Sequence, residues 1–90
     1  MFVSFTDWEF DGNIENAVQS VKGFWPEMKK YEATNLRITV TGPNTLRTMT
    51  TWNNQEKVEA NIDKIRAAAG SAAGMTVTGG MMGTVAVELN

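Results

Sequence analysis

The sequence predicts an α+β domain with the ferredoxin-like βαββαβ order of a sandwich. Hydrophobic periodicity changes along the chain in the order strand, helix, strand, strand, helix, strand. Trp8 precedes Ile14 in the first half, and Trp52 precedes Val58 by the same interval in the second half. Two right-handed crossover units, interleaved into one antiparallel sheet with both helices on one face, account for the order and for this internal echo.

Length and charge limit the classes of partner. We expect one domain over residues 1–90, and a chain of this size buries only ~60–65% of its unfolded surface, which favours a partner chain. Eight basic and ten acidic residues give a net charge of -2, and the longest basic run is Lys29-Lys30. We therefore exclude nucleic acid and membrane surfaces as partners.

Two residue types are absent from the chain. It has no cysteine and no histidine, which excludes disulfides, thiolate chemistry and the usual zinc sites, so we expect no metal. Together with an N-terminus that lacks the pattern of a signal peptide, this predicts a cytoplasmic protein. The uncharged stretch 67–87 is rich in glycine and threonine, and we interpret it as a helix end, a glycine turn and a strand rather than a membrane span.

The first half is predicted to hold a strand and a broken helix. Residues 1–10 alternate aromatic or β-branched side chains with Ser4 and Thr6, as a strand does. Asn13 is positioned to cap a helix, and Pro26 lies inside the helical pattern. Because proline removes an amide donor, we expect a kink or break near residues 22–25.

The second half is predicted to hold a hairpin, a capped helix and a last strand. Strands over 36–41 and 46–52 flank a turn at 42–44. Asn53, followed by Glu56, marks the start of the second helix, and Gly70 and Gly74 mark its end. Residues 84–89 alternate and are predicted as the fourth strand.

The face of the sheet away from the helices decides the functional prediction. Pointing Val3, Phe5 and Met49 toward the helices leaves a mixed polar and aromatic set on the open face. That set is Ser4, Thr6, Trp8, Arg37, Thr39, Leu46, Thr48, Thr50, Trp52, Thr84, Ala86 and Glu88. Such a face predicts a homodimer that pairs through it and encloses a cavity. A slip of one residue at the 42–44 turn is the alternative; it would place Arg47 beside Arg37 and send Trp52 inward.

The third strand ends in Trp52 and leads at once into a capped helix, Trp52 to Glu56. In this motif the chain resembles the antibiotic-biosynthesis-monooxygenase-like group of dimeric α+β barrel proteins. The resemblance implies a homodimer with a ligand cleft between the helices and sheet of each protomer or in the barrel interior. It also implies cofactor-independent oxidation of quinol-like aromatic compounds, without metal or flavin. Haem-degrading members of the group hold iron through a histidine, which this chain lacks.

Six side chains are the candidate ligand-binding residues, and no catalytic residue is assigned. They are Thr6, Trp8, Arg37, Thr48, Thr50 and Trp52. The two indoles would stack on a planar ligand or pack in the dimer core, and Arg37 would hold a carboxylate or phenolate or pair with Glu88. Three functions are compatible with this set: a monooxygenase, a non-catalytic small-molecule-binding or regulatory module, and an accessory dimer.

Overall fold

The computed structural model describes residues 1–90 and confirms the βαββαβ order. The elements are β1 (Phe2–Glu9), α1 (Ile14–Lys30), β2 (Ala33–Gly42), β3 (Thr45–Trp52), α2 (Gln55–Ala73) and β4 (Thr76–Thr84). The strands form one antiparallel sheet in the order β2-β3-β1-β4. The two helices pack on each other and cover one face of the sheet, as a ferredoxin-like sandwich requires.

Helix α1 is continuous from Ile14 to Lys30, so of the predicted kink or break near residues 22–25 the break is wrong. Its start is as predicted, since the Asn13 side chain accepts a hydrogen bond from the amide of Asn16. Pro26 lies inside the helix, and both Pro26 and Lys22 are exposed. The carbonyl that loses its donor therefore faces solvent, where water can replace the missing hydrogen bond.

Helix α2 begins one residue later than predicted and ends at the second of the two predicted glycines. Asn54, not Asn53, is the N-cap, and its side chain accepts from the amide of Lys57. Gly74 ends the helix in a left-handed conformation, whereas Gly70 lies inside it. Gly70 serves close packing, because a Cβ there would lie 2.8 Å from the carbonyl oxygen of Met75.

The fourth strand is Thr76–Thr84, so the prediction of 84–89 is wrong. Propensity disfavours a strand with Gly79, Gly80 and Gly83, yet β4 pairs with the whole of β1, with a register shift between Asp7 and Trp8. Tertiary pairing overrides propensity here because β1 offers a full row of backbone partners. Residues 85–90 lie outside regular structure, joined to the start of β1 by a hydrogen bond from the amide of Val85 to the carbonyl of Met1.

The predicted facing of the sheet is right for β2 and wrong for β1 and β3. Leu36 faces the helices, but so do the side chains that we expected on the open face. These are Ser4, Thr6, Trp8, Leu46, Thr48, Thr50 and Trp52, all of which are buried. The opposite surface, which we call the outer face, carries Phe5, Arg37 and Met49 instead. For β3 the alternative of a slip near the turn holds, since Trp52 is buried and a register shift lies between Val40 and Gly42.

The reason for this facing is a charged pair. Asp7 and Arg47 are cross-strand partners, and the Arg47 guanidinium donates two hydrogen bonds to the Asp7 carboxylate, 2.7 Å from Nε to Oδ1 and 3.1 Å from Nη2 to Oδ2. These bonds hold the pKa of Asp7 below its usual range. Burying this pair beneath the helices would remove its hydration, whereas burying hydroxyls requires only hydrogen-bond partners, which the two indoles supply to Thr48 and Ser4 and Arg66 supplies to Thr6.

Two helical glycines are expected to respond to alanine with opposite signs. A Cβ at Gly23 would meet nothing within 4 Å, so Gly23→Ala should raise the free energy of unfolding by about 0.5–1 kcal/mol through helix propensity. At Gly70 a Cβ would meet the Met75 carbonyl and, at 3.2 Å, the Trp8 ring, so Gly70→Ala should lower it by about 1–3 kcal/mol. Urea unfolding of both variants measures the pair. A stabilised Gly70→Ala protein would refute this packing of α2 on Trp8.

Candidate functional site

The candidate site is a narrow cavity between the two helices and the sheet, with a volume of about 40 Å³. Its sheet wall consists of side chains from β1, β2 and β3, and its roof consists of side chains from α1, α2 and the residue before β4. The lining residues are Ser4, Thr6, Trp8, Ser20, Val21, Phe24, Met28, Leu36, Thr48, Thr50, Trp52, Ile62, Ile65, Arg66, Ala69, Ala73 and Met75. The lining is mostly apolar, with hydroxyls and one guanidinium as its polar groups.

Four buried hydroxyls form a band across the middle of the sheet wall. Ser4 lies opposite Thr50, and Thr6 lies opposite Thr48, so the two cross-strand pairs sit side by side on β1 and β3. Side chains two positions apart on a strand share a face, which explains how the alternating sequence places all four together. The result is a polar strip within an apolar interior.

An indole borders each end of this hydroxyl band. Trp8 Nε1 donates to Thr48 Oγ1 at 2.9 Å, and Trp52 Nε1 donates to Ser4 Oγ at 3.0 Å. Trp8 belongs to an apolar cluster with Leu46 and Met75, whereas Trp52 belongs to a second cluster with Val58 and other residues. Each ring is thus held both by packing and by a hydrogen bond, which fixes its position at the cavity wall.

Arg66 is a site residue that the sequence analysis missed. It projects from α2, and its Nε donates to Thr6 Oγ1 at 3.0 Å while its Nη2 donates to the carbonyl of Phe5 at 3.1 Å. It forms no ion pair, and its partial burial lowers its pKa, an effect that Asp63 opposes through its charge. The available signal was its position next to Ile65, at the border of the apolar stripe of α2.

Five of the six predicted ligand-binding residues converge on this cavity. Thr6, Trp8, Thr48, Thr50 and Trp52 all line it. The sixth, Arg37, lies on the outer face, where it lines a depression together with Glu88 but forms no ion pair with it. The predicted chamber between two open faces is therefore wrong as a location for the other five, because their side chains lie beneath the helices.

A groove at the edge of the sheet adjoins the cavity. It has a volume of about 350 Å³ and lies between α1 and β2, lined by Val18, Val21, Lys22, Trp25, Leu36 and Ile38. Val21 and Leu36 line both the groove and the cavity. Only these two apolar side chains belong to both linings, so rotation of either side chain would open a connection between the cavity and the groove.

The outer face carries a broad depression of about 550 Å³. Its walls include Val3, Phe5 and Met49 of the sheet and Val85 and Leu89 of the C-terminal residues. Met81, on the neighbouring strand, is largely exposed. This face therefore combines apolar side chains with the Asp7 and Arg47 pair and is accessible in the single chain.

No three or more acidic side chains lie close enough together to hold a metal ion, and the chain has no histidine or cysteine to add to them. Neither helix is long and apolar enough to cross a membrane.

Known structures share this fold across the whole chain. A protein of unknown function from Nitrosomonas europaea aligns with a TM-score of 0.62 at 17% identity, covering 99% of this chain and 93% of its own. A dimeric ferredoxin-like protein from an uncultured marine organism aligns at 0.61 and 10% identity, covering 100% and 99%. A proposed antibiotic biosynthesis monooxygenase from Deinococcus radiodurans aligns at 0.60 and 11% identity, covering 100% and 97%.

No protein-family model and no curated protein matches the sequence. The structural neighbours confirm the fold of the group that the sequence resembles, a ferredoxin-like domain found in dimeric proteins. At these identities they are evidence of a common architecture, and activity has to be argued from the site itself.

Proposed function

We propose that this protein is a homodimer whose protomers each bind a small aromatic molecule between the helices and the sheet. The observation that carries the proposal is the convergence of five predicted binding residues and Arg66 on one cavity. Fixed indoles and oriented polar groups in an apolar enclosure are typical of small-molecule sites. The resemblance to quinol-oxidising proteins supports the aromatic character of the ligand.

The cavity has to widen for a ring to enter. Its volume of about 40 Å³ is close to that of a few water molecules, whereas an apolar cavity that holds benzene has about 150 Å³. The adjoining groove supplies the missing space if the Val21 and Leu36 side chains move apart. Helix α1 is the wall that would move, because Pro26 removes one of the backbone hydrogen bonds inside this helix.

Dimerisation is proposed through the outer face. Phe5 and Met49 are only half-buried and Met81 is largely exposed, so one copy leaves apolar surface that a second copy would cover. The dimeric neighbour from the marine organism supports a homodimer. Sedimentation at micromolar concentration is expected to give a dimer, and a monomer there would exclude this part of the proposal.

Oxidation of a quinol-like ligand by molecular oxygen is the second candidate function. It is favoured by a cavity wall that offers hydrogen-bond donors, since such donors stabilise the ionised form of a quinol, which is the form that reacts with oxygen. The cavity holds no carboxylate or imidazole to act as a base. Oxygen uptake with a panel of quinols separates this function from binding alone, because a non-catalytic module would bind the quinols without consuming oxygen.

Filling the cavity tests the proposed binding function. We expect 4-nitrophenol, used as a probe, to quench tryptophan fluorescence in the unmodified protein, and Ala69→Leu to abolish the quenching because Ala69 lines the cavity. Ala67→Leu is the matched control on the exposed side of α2 and should bind as the unmodified protein does. Equal binding by both variants would show that the probe lies elsewhere.

A further inference from the structure

We infer that the ligand of this cavity carries an ionised oxygen, and that Arg66 and the hydroxyl band hold that oxygen at the β4 side of the cavity. The inference rests on the ligand-binding function proposed above and specifies the chemical class of its ligand. Three features support it: the balance of donors and acceptors in the cavity wall, the charge of Arg66, and the glycine beside Arg66.

Hydroxyl oxygens of the band accept hydrogen bonds from protein donors, whereas their O–H groups have no side-chain acceptor. Ser4, Thr6 and Thr48 each accept a hydrogen bond from an indole or a guanidinium nitrogen. Their own protons are therefore available to donate, and no hydrogen bond from these hydroxyls to another side chain forms. The Thr50 hydroxyl neither donates nor accepts a side-chain hydrogen bond, although the residue is buried against the cavity. Four O–H groups thus border a space that contains no protein acceptor aimed at them.

The guanidinium of Arg66 adds a positive charge to this side of the cavity. Two of its five N–H groups are used by Thr6 and by the Phe5 carbonyl, which fixes the plane of the group and leaves donors free. No carboxylate lies within ion-pair distance, and Asp63 acts on the guanidinium through its charge without forming an ion pair. A half-buried, unpaired guanidinium among hydroxyl donors favours an anionic oxygen over a neutral or cationic group.

Gly80 of β4 makes room for this arrangement. A Cβ at Gly80 would lie 2.6 Å from both Cζ and Nη2 of Arg66, so the guanidinium rests directly against the bare backbone of the strand. A Cβ at Gly83, further along the same strand, would meet nothing within 4 Å. Arg66 can therefore occupy this position because residue 80 has no side chain, and a substitution at Gly80 tests the role of Arg66 without changing Arg66 itself.

The shared chemistry is an ionised oxygen, and both a phenolate and a carboxylate supply one. Three probes distinguish these sources from a neutral ligand: 4-nitrophenol, whose ionised form absorbs visible light, benzoate, and benzyl alcohol as the neutral counterpart of benzoate. We expect the site to bind the ionised form of 4-nitrophenol preferentially, which lowers the pH at which the bound probe becomes coloured. Benzoate binding adds carboxylates to the accepted class, whereas its failure restricts the class to phenolates.

Arg66→Gln is expected to weaken binding of the anionic probes by about tenfold or more, since a charge-assisted hydrogen bond is lost. Benzyl alcohol should be unaffected by the change. Lys64→Gln removes a positive charge from the exposed side of α2 and is the matched control, with no expected effect on any probe. Circular dichroism shows whether Arg66→Gln keeps the fold.

Gly80→Ala tests the same claim without removing the arginine. Its methyl group should displace the guanidinium and reproduce the loss of anion binding, whereas Gly83→Ala should bind like the unmodified protein. The inference is overturned if benzyl alcohol binds as tightly as the anions, or if neither Arg66→Gln nor Gly80→Ala weakens the anions. In those cases the proposed binding function still stands, while the absence of binding by all three probes would remove both.

Discussion

Replacing Leu46 with alanine is expected to lower the free energy of unfolding by about 2–5 kcal/mol, because the side chain is 1% exposed and its removal leaves a void among packed neighbours. A 90-residue domain has roughly 5–15 kcal/mol in total, so the loss is a large fraction of the stability. Urea unfolding monitored by circular dichroism measures the change.

Val40 provides the matched control for Leu46. The two residues are cross-strand partners on β2 and β3, but Val40 is 53% exposed. Val40→Ala should therefore change stability by less than about 1 kcal/mol. Equal effects of the two substitutions would mean that Leu46 does not point toward the helices. In that case the other side chains on the same face of β3 would not line the cavity either.

Trp52→Ala is expected to be at least as damaging, at about 3–5 kcal/mol. The indole is 2% exposed, packs among Phe2, Val58 and Ile62, and donates the hydrogen bond that Ser4 accepts. Its loss should also widen the cavity at the end where Trp52 borders it. The midpoint and slope of a urea transition report the change in stability.

Trp25 serves as the comparison for Trp52. It is only half-buried on α1, with the Lys29 amino group 6.0 Å from its ring centroid, so Trp25→Ala should cost less than about 2 kcal/mol. If Trp25→Ala were the more destabilising of the two, the third strand would have to present Trp52 to solvent, contrary to this structure.

The order of elements was predictable from the sequence because the amphipathic patterns of α1 and α2 and the alternation in β2 each give one clear period. The facing of β1 was not, because alternation defines two faces without saying which is buried. Val3 and Phe5 looked like the core set, and Ser4 and Thr6 looked like the solvent set. Arg47 was the residue that could have corrected the prediction. With Met49 toward the helices, Arg47 on the same strand would also point beneath them, whereas on the outer face it can pair with Asp7.

The location of β4 and the role of Arg66 were beyond the sequence for different reasons. Val85 and Val87 alternate as a strand does, whereas the glycine-rich run before them has low β-propensity and becomes a strand only because β1 pairs with it. Arg66 belongs by pattern to the polar face of α2. Only the contact with Thr6 and with the backbone of β1 and β4 shows that it turns toward the cavity.

Three of the four residues of the hydroxyl band, Thr6, Thr48 and Thr50, were predicted as binding candidates from their place on the open face, and with Ser4 they line one cavity on the opposite side of the sheet. Hydroxyls beside indoles were expected to form a face that a second copy of the chain covers, because the set is too apolar for solvent and too polar for a dry core. In the structure the indoles donate to Thr48 and Ser4, Arg66 donates to Thr6, and no buried side-chain polar atom lacks a partner. Local satisfaction of this kind permits a polar strip inside a small domain.

The most direct test is a nuclear Overhauser measurement on the ¹⁵N-labelled protein with 4-nitrophenol bound. We expect contacts between the ring protons of the probe and the indole N–H groups of Trp8 and Trp52, which border the cavity from opposite ends. Contacts confined to Met49 and Met81 on the outer face would place the ligand on the other side of the sheet and contradict binding in the cavity.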